Sequence, residues 1–246
     1  MIYIVLAIVS VIAGIVTAIS GGGGMLIVSV LMLIDIPIKI IIGTNRLSAL
    51  MDNATSAYNY NKKGKVNKKF VKYAAIPGLI GTAIGSKLLL LLDGRILERL
   101  IPILLIAIVI HSLISKKSGS ISEFKGFTPL NMAAGSFVVF ILGIYMGFFG
   151  MAAGSFMALS FVYIYKFDFL EAVATAKPLL ALMGLFSLFF LAKNGLINYE
   201  YAFFITVFRM VGSKLGSNYA IKKGSKLVKP VFLILCVTIG LKNLFF

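Results

Sequence analysis

Apolar residues fill long runs along this chain, and the runs are separated by short polar or glycine-rich breaks. Ten runs can be marked, at about 2–19, 25–35, 38–60, 70–92, 96–115, 129–149, 152–166, 169–192, 199–220 and 227–246. Continuous stretches such as 100–110 and 179–191 lack the alternation of a membrane-barrel strand, so each run is expected to be helical. Crossing a bilayer takes about 20 apolar residues, with a range of roughly 17–25. The second and seventh runs are shorter than that. Each follows a break of small residues, Gly21-Gly22-Gly23-Gly24 in one case and Gly150-Met151-Ala152-Ala153-Gly154 in the other. Those two places read either as crossings joined by a tight turn or as re-entrant hairpins. The expected fold class is an all-α integral membrane protein with about 8–10 transmembrane or re-entrant segments.

Composition excludes the soluble alternative. Hydrophobic residues make up 60% of the chain and charged residues 13%, with a mean hydropathy of +1.02. Soluble domains carry about 45–50% apolar and about 25% charged residues. In lipid the backbone must satisfy its own hydrogen bonds, which leaves helices once barrels are set aside. The formal net charge of +16 would suit a nucleic-acid binder only on a solvated face. Here the basic residues sit mainly in short loops between apolar runs, the pattern of positive-inside topology. No nucleic-acid partner is expected. One cysteine, Cys236, excludes an intrachain disulfide, and one histidine, His111, makes a histidine- or thiolate-rich metal site implausible. The first run lacks a basic leader and is followed by further spans, so it reads as a retained helix.

The chain also repeats itself. One constant offset carries Thr44 to Thr175, Gly64 to Gly195, Asn67 to Asn198, Gly81 to Gly212, and Gly85-Ser86 to Gly216-Ser217. This divides it into a first repeat at 1–115, a linker at 116–128 and a second repeat at 129–246. Each repeat has an odd number of crossings, so the two are expected to be inverted, as in many secondary transporters. Loop charge agrees. The loop with Lys62, Lys63, Lys65, Lys68 and Lys69 is lysine-rich, whereas its repeat partner around 194–198 has only Lys193 beside it. Stretches 61–72, 116–125 and 222–229 are expected to be cytoplasmic, with both termini outside.

With these features in place, a family resemblance emerges. Gly143-Ile-Tyr-Met-Gly-Phe-Phe-Gly150 leads to Ala174-Thr-Ala-Lys177 and then to Ala220-Ile-Lys-Lys-Gly-Ser-Lys-Leu-Val-Lys-Pro230. Together with Gly43-Thr-Asn-Arg46 and the glycines at 21–24, the chain resembles the TauE/SafE sulfite-exporter family over nearly its whole length. That resemblance implies a multi-pass permease of a prokaryotic plasma membrane, carrying sulfite, sulfonates or related sulfur-containing anions without a cofactor.

Ionisable side chains at membrane depth are costly and point to function. Arg46 follows Thr44 and Asn45, and its repeat partner Lys177 follows Thr175 and Ala176. A cation at the same position of each repeat would grip an oxyanion across a pseudo-twofold axis, Arg as a fork and Lys as a point charge. The other reading makes both interfacial residues that snorkel to water, as fits Lys87 and Lys214. Arg209 lies about 15 Å from either end of its run, too deep for that. It either faces a wet cavity or pairs with an acid, and Asp52 is the best candidate. Asn45, Ser48, Asp52, Thr55, Ser56 and Asn59 recur at helical spacing as a polar stripe. Asp52 either titrates and couples proton movement or offsets Arg46 or Arg209. Gly22, Gly23, Gly24 and Gly154 add a second device, since a broken helix offers N–H groups and a positive dipole end to an anion. Helices are expected to restart at Met25 and Ser155. Asp168 and Glu171 have the spacing of a helix cap.

The expected function is therefore a secondary permease for a small anion, in contact with lipid and open to homo-oligomer formation. A cation or proton-coupled organic-acid transporter using Asp52 is the alternative. An intramembrane enzyme is less favoured, since no nucleophile–base pair or ligand cluster is evident. A primary pump lacks its phosphate-binding loop.

Overall fold

The computed structural model describes residues 2–34, 36–93, 96, 124 and 126–224. Within them the chain is helical, with no strand. The helices are α1 (Ile2–Ser20), α2 (Gly24–Leu31), α3 (Ile38–Lys62), α4 (Lys68–Leu91), α5 (Pro129–Phe148), α6 (Ala153–Tyr165), α7 (Phe169–Lys193) and α8 (Tyr199–Lys223). Each falls within a few residues of an expected run. The run expected at 227–246, and that at 96–115 beyond Ile96, lie outside the described residues. So do Arg99, His111, Lys116, Lys117, Lys125, Lys226, Lys229 and Cys236. Helices α2 and α6 restart at Gly24 and Ala153, one and two residues earlier than expected.

Local chemistry sets the helix starts. Asn67 accepts from Phe70 N at 3.3 Å and Asn198 accepts from Tyr201 N at 3.2 Å, capping α4 and α8. Asp168 accepts from Glu171 N at 2.8 Å and caps α7. Thr128 and Asn131 cap α5 reciprocally, with Pro129 in the first position. Each cap satisfies an amide that the helix leaves unpaired. The 8 residues of α2 and the 13 of α6 rise about 12 Å and about 20 Å. Neither length crosses a hydrocarbon layer of about 30 Å.

Among the described residues four helices, α1, α4, α5 and α7, are long and apolar enough to span a membrane. The 25-residue α3 and α8 have the length but carry polar residues, and packing explains how they tolerate them. On α8, Tyr199, Phe203, Val207, Val211, Leu215 and Tyr219 form an exposed stripe at every fourth residue. The rise from Tyr199 to Tyr219 is about 30 Å, so a tyrosine stands at each boundary of a lipid-facing band. The opposite face of α8 turns its polar residues onto α3. Ser213 Oγ lies 2.6 Å from Ser56 Oγ, and Asn59 donates to Ser217 Oγ at 2.7 Å and Asn218 Oδ1 at 2.8 Å. The expected stripe of α3 is thus an interhelical seam. Thr55 is the exception, with its hydroxyl bonded back to Met51 O.

The same contacts are made twice, at positions a repeat apart. Helix α1 lies along α8 and α4 along α5. A Cβ at Gly81 or Gly85 would strike the carbonyls of Phe140 and Ile144, and one at Gly212 or Gly216 the carbonyls of Val11 and Ile15. Small residues allow this backbone approach, on which packing in lipid depends. Asn67 N donates to Thr175 Oγ1 at 3.0 Å, and Asn198 N donates to Thr44 Oγ1 at 3.0 Å. Helices α3 and α7 cross at the centre, α3 also meeting α8 and α7 also meeting α4.

Overpacking a close helix contact costs about 1–3 kcal/mol. Gly212→Leu should therefore lower the melting temperature of the detergent-purified protein by several degrees. Val211→Leu, one residue away on the lipid face, should leave it within the scatter. Equal melting curves for the two variants would refute the packing role assigned to Gly212.

Candidate functional site

Among the described residues four charged side chains are buried, at the centre of the bundle, and their partners are unequal. Arg209, on the α3-facing side of α8, is 1% exposed, and Asp52 of α3 is fully buried. Arg209 Nε donates to Asp52 Oδ2 at 2.7 Å, the one salt bridge among the described residues. Its Nη1 donates to Asn45 Oδ1 at 2.9 Å and Ser48 Oγ at 3.0 Å, and its Nη2 to Thr17 Oγ1 at 3.1 Å. Four of the five guanidinium N–H groups are thereby used. Ser213 Oγ donates to the Asp52 carbonyl at 2.8 Å and fixes the backbone that carries the carboxylate.

Arg46 and Lys177 are equally buried but form no salt bridge among the described residues. Arg46 is 3% exposed and Lys177 1%, so neither snorkels. The Arg46 guanidinium donates to Met146 Sδ at 3.1 Å and to Phe149 O at 3.4 Å, both weak bonds for a cation. Its Nε has no partner among the described residues. Lys177 Nζ donates to the Thr17 carbonyl and to Asn53 Oδ1, the latter at 3.3 Å. Lys87 and Lys214, by contrast, are exposed.

The two arginines border a small cavity of about 20 Å³, room for about one water molecule. Arg46, Arg209, Asn45, Thr17 and Asn53 line it, as do Gly24 and Gly154 from the first turns of α2 and α6. Gly150, with φ 75°, passes so close to Arg46 that any Cβ there would strike the guanidinium. Ala152, also on the cavity wall, takes a left-handed φ of 55°, a conformation costing roughly 1 kcal/mol for a residue with a Cβ. Two helix N-termini and two guanidinium groups therefore converge on one space, an arrangement suited to negative charge.

Of the residues expected at the site, the structure brings together Arg46, Arg209, Asn45, Gly24 and Gly154, with Lys177 one bond away through Thr17 and Asn53. Asp52 stands behind Arg209. Thr44 and Thr175 are not brought to the cavity, since their hydroxyls accept the Asn198 and Asn67 amides. Gly22 and Gly23 are also absent from its lining. A Cβ at Gly23 would strike Ala13 O, and Gly22 lies near Ser155 Oγ. Sequence reasoning missed Thr17, Asn53 and Met146. Thr17 is a lone hydroxyl in an apolar run, and Asn53 lies beside Asp52, off the polar stripe.

A helical membrane bundle with buried, unbalanced cations at its centre has the form of an ion or solute carrier. Residues 6–243 match the family described as sulfite exporter TauE/SafE, and the chain belongs to that family. A protein of Sinorhizobium sp., named "Probable membrane transporter protein ORF9", is 30% identical over 95% of this chain and 88% of its own length. "Probable membrane transporter protein YfcA" of Escherichia coli (strain K12) is 30% identical over 98% of this chain and 89% of its own length. "Probable membrane transporter protein YunE" of Bacillus subtilis (strain 168) is 24% identical over 97% and 96%. No solved structure matches the chain. These relationships and the apolar helices make it a multi-pass membrane protein of a transporter family.

Removing one member of a buried ion pair costs about 3–5 kcal/mol, because the other charge is stranded. Arg209→Met should therefore sharply reduce the melting temperature and yield, while Asp52→Leu combined with Arg209→Met should restore both. Arg46→Met strands no acid and should be neutral or stabilising. Thermal unfolding of the purified variants tests this, and similar losses for Arg46→Met and Arg209→Met would contradict it.

Proposed function

We propose that this chain is a secondary transporter that carries a small oxyanion, of the sulfite, sulfonate or related sulfur-containing class, without a cofactor. The observation that carries the reading is the charge at the centre. Among the described residues three buried cations face one buried carboxylate there, and that carboxylate is already paired with Arg209. Burying an unpaired charge costs several kcal/mol, so Arg46 and Lys177 are held at a cost that an anion would offset. The unpartnered Arg46 Nε, the remaining Arg209 Nη2–H and the first turns of α2 and α6 supply its hydrogen bonds, and charge-assisted bonds are the strong ones.

Asp52 acts as a charge balance for Arg209, holding its guanidinium so that Nη2 meets the cavity. The cavity has room for about one water, so it must widen to take an oxyanion, and Met146 and Leu180 are apolar members of its wall. The paired contacts support an inverted repeat, in which α1–α4 and α5–α8 exchange roles as access alternates between the two membrane faces. The membrane is the plasma membrane of a prokaryotic cell, with lysine-rich loops 61–72, 116–125 and 222–229 on the cytoplasmic side.

Transport of sulfite, thiosulfate and a sulfonate into proteoliposomes tests the site. Arg46→Gln and Lys177→Gln should each weaken apparent affinity about tenfold or more, with the protein still folded. Lys87→Gln should have little effect. Unchanged affinity for every transported anion in both Arg46→Gln and Lys177→Gln would remove the assignment. Topology has its own test, in a background lacking Cys236. A cysteine at Asn194 should react with an impermeant thiol reagent from outside and one at Gly64 should not; labelling of both from one side would rule out inversion.

A further inference from the structure

Away from the central cavity, one groove joins fixed positive charge to an apolar wall. It has a volume of about 370 Å³ and opens where α3, α4 and α7 meet. Lys68 and Lys72 of α4 stand on its rim with Tyr58 and Asn61 of α3, while Val71 and Pro178 are part of its apolar wall. Among the described residues no acid lines it. Lys68 and Lys72 are one helical turn apart and so share a face.

The groove side of this corner is basic, because its acids, Asp168 and Glu171, line a neighbouring pocket beside Lys65 and Asn67 instead. Lys68 and Lys69 open α4, whose first turn carries no acid, although the positive end of a helix dipole favours anions. Lys69 is drawn aside onto the Phe127 ring, 5.5 Å from its centroid, which leaves Lys68 and Lys72 to the groove. The repeat-related helix start shows the ordinary arrangement. There the positions of Lys68, Lys69 and Lys72 are taken by Tyr199, Glu200 and Phe203, with an acid in the first turn of α8. The repeat is therefore broken at this groove by positive charge, and only at one end of the bundle.

We propose that the groove binds an anionic phospholipid, its phosphate held by Lys68 and Lys72 at the start of α4 and its acyl chain laid against Val71 and Pro178. Tyr58, 70% exposed, supplies a ring and a hydroxyl at the level where headgroup meets hydrocarbon. The apolar wall makes the ligand a lipid rather than free phosphate, and basic pockets between membrane helices suit anionic headgroups. The site is independent of the transported substrate.

Native mass spectrometry of the full-length, delipidated protein tests the proposal, with phosphatidylglycerol and phosphatidylcholine titrated in parallel. Phosphatidylglycerol should bind the wild type preferentially. In the double variant Lys68→Gln/Lys72→Gln its affinity should fall about tenfold or more, at roughly 1 kcal/mol for each lysine, with phosphatidylcholine binding unchanged. Lys68→Arg/Lys72→Arg should keep the preference, which guards against misfolding as the cause, and Lys193→Gln should be silent. Inorganic phosphate should not compete at millimolar concentration. Retention of the preference in the Gln pair, or displacement of the lipid by phosphate alone, would overturn the proposal.

Discussion

The contact between Arg209 and Asp52 is the constraint around which the bundle is organised. A guanidinium at the middle of a membrane helix has nowhere to send its charge, so α8 must present it to a partner at the same depth. Asp52 of α3 is that partner, and Asn45, Ser48 and Thr17 take further N–H groups. The pair sets the register of α8 on α3, and Ser213 with Ser56 and Asn59 with Ser217 extend that register along the helices. Thr17 brings α1 into the same network. Three helices are thus held in one arrangement by one fixed charge.

Arg46 is the contrast that gives the centre its chemical character. Both arginines are buried, yet one is bonded around most of its fork and the other meets only a sulfur and one distant carbonyl among the described residues. The first is fixed mainly by the fold, and on the function proposed above the second is the cation that an anion would satisfy. On that proposal stability rests chiefly on one arginine while both meet the anion, a division that lets a site carry cost while the fold around it stays sound.

Much of this was legible in the amino-acid order. Apolar runs marked the helices because lipid tolerates little else at that depth, and Asp168 with Glu171 marked a start because orphaned amides need acceptors. Asn67 and Asn198 were legible only as repeat partners, and the structure makes them caps. Arg209 lies too deep in its run to reach water alone, which made Asp52 the best candidate acid, but whether Asp52 offset Arg209 or Arg46 was decided only by the structure. Thr44 and Thr175 illustrate what was not legible. Repeat symmetry identified them as equivalent, but equivalence does not say which way a hydroxyl points, and both serve helix starts. Thr17 and Asn53 were invisible for a related reason. One polar atom in an apolar run gains meaning only when another helix brings a charge to it.

The way α1 lies on α8 bears on how the chain is made. Thr17 and Arg209, bonded in the finished protein, are 192 residues apart, and the Tyr3–Glu200 bond spans 197. Helix α1 is made before α8, and the face that receives Gly212 and Gly216 then waits for a helix synthesised much later. Asn67, likewise, caps α4 early but finds Thr175 only after the linker has passed. Neither α1 nor α8 can complete its packing alone, so their contact closes only after α8 has been made. Release of the nascent chain before α8 is made would leave α1 without the surface it was shaped to fit.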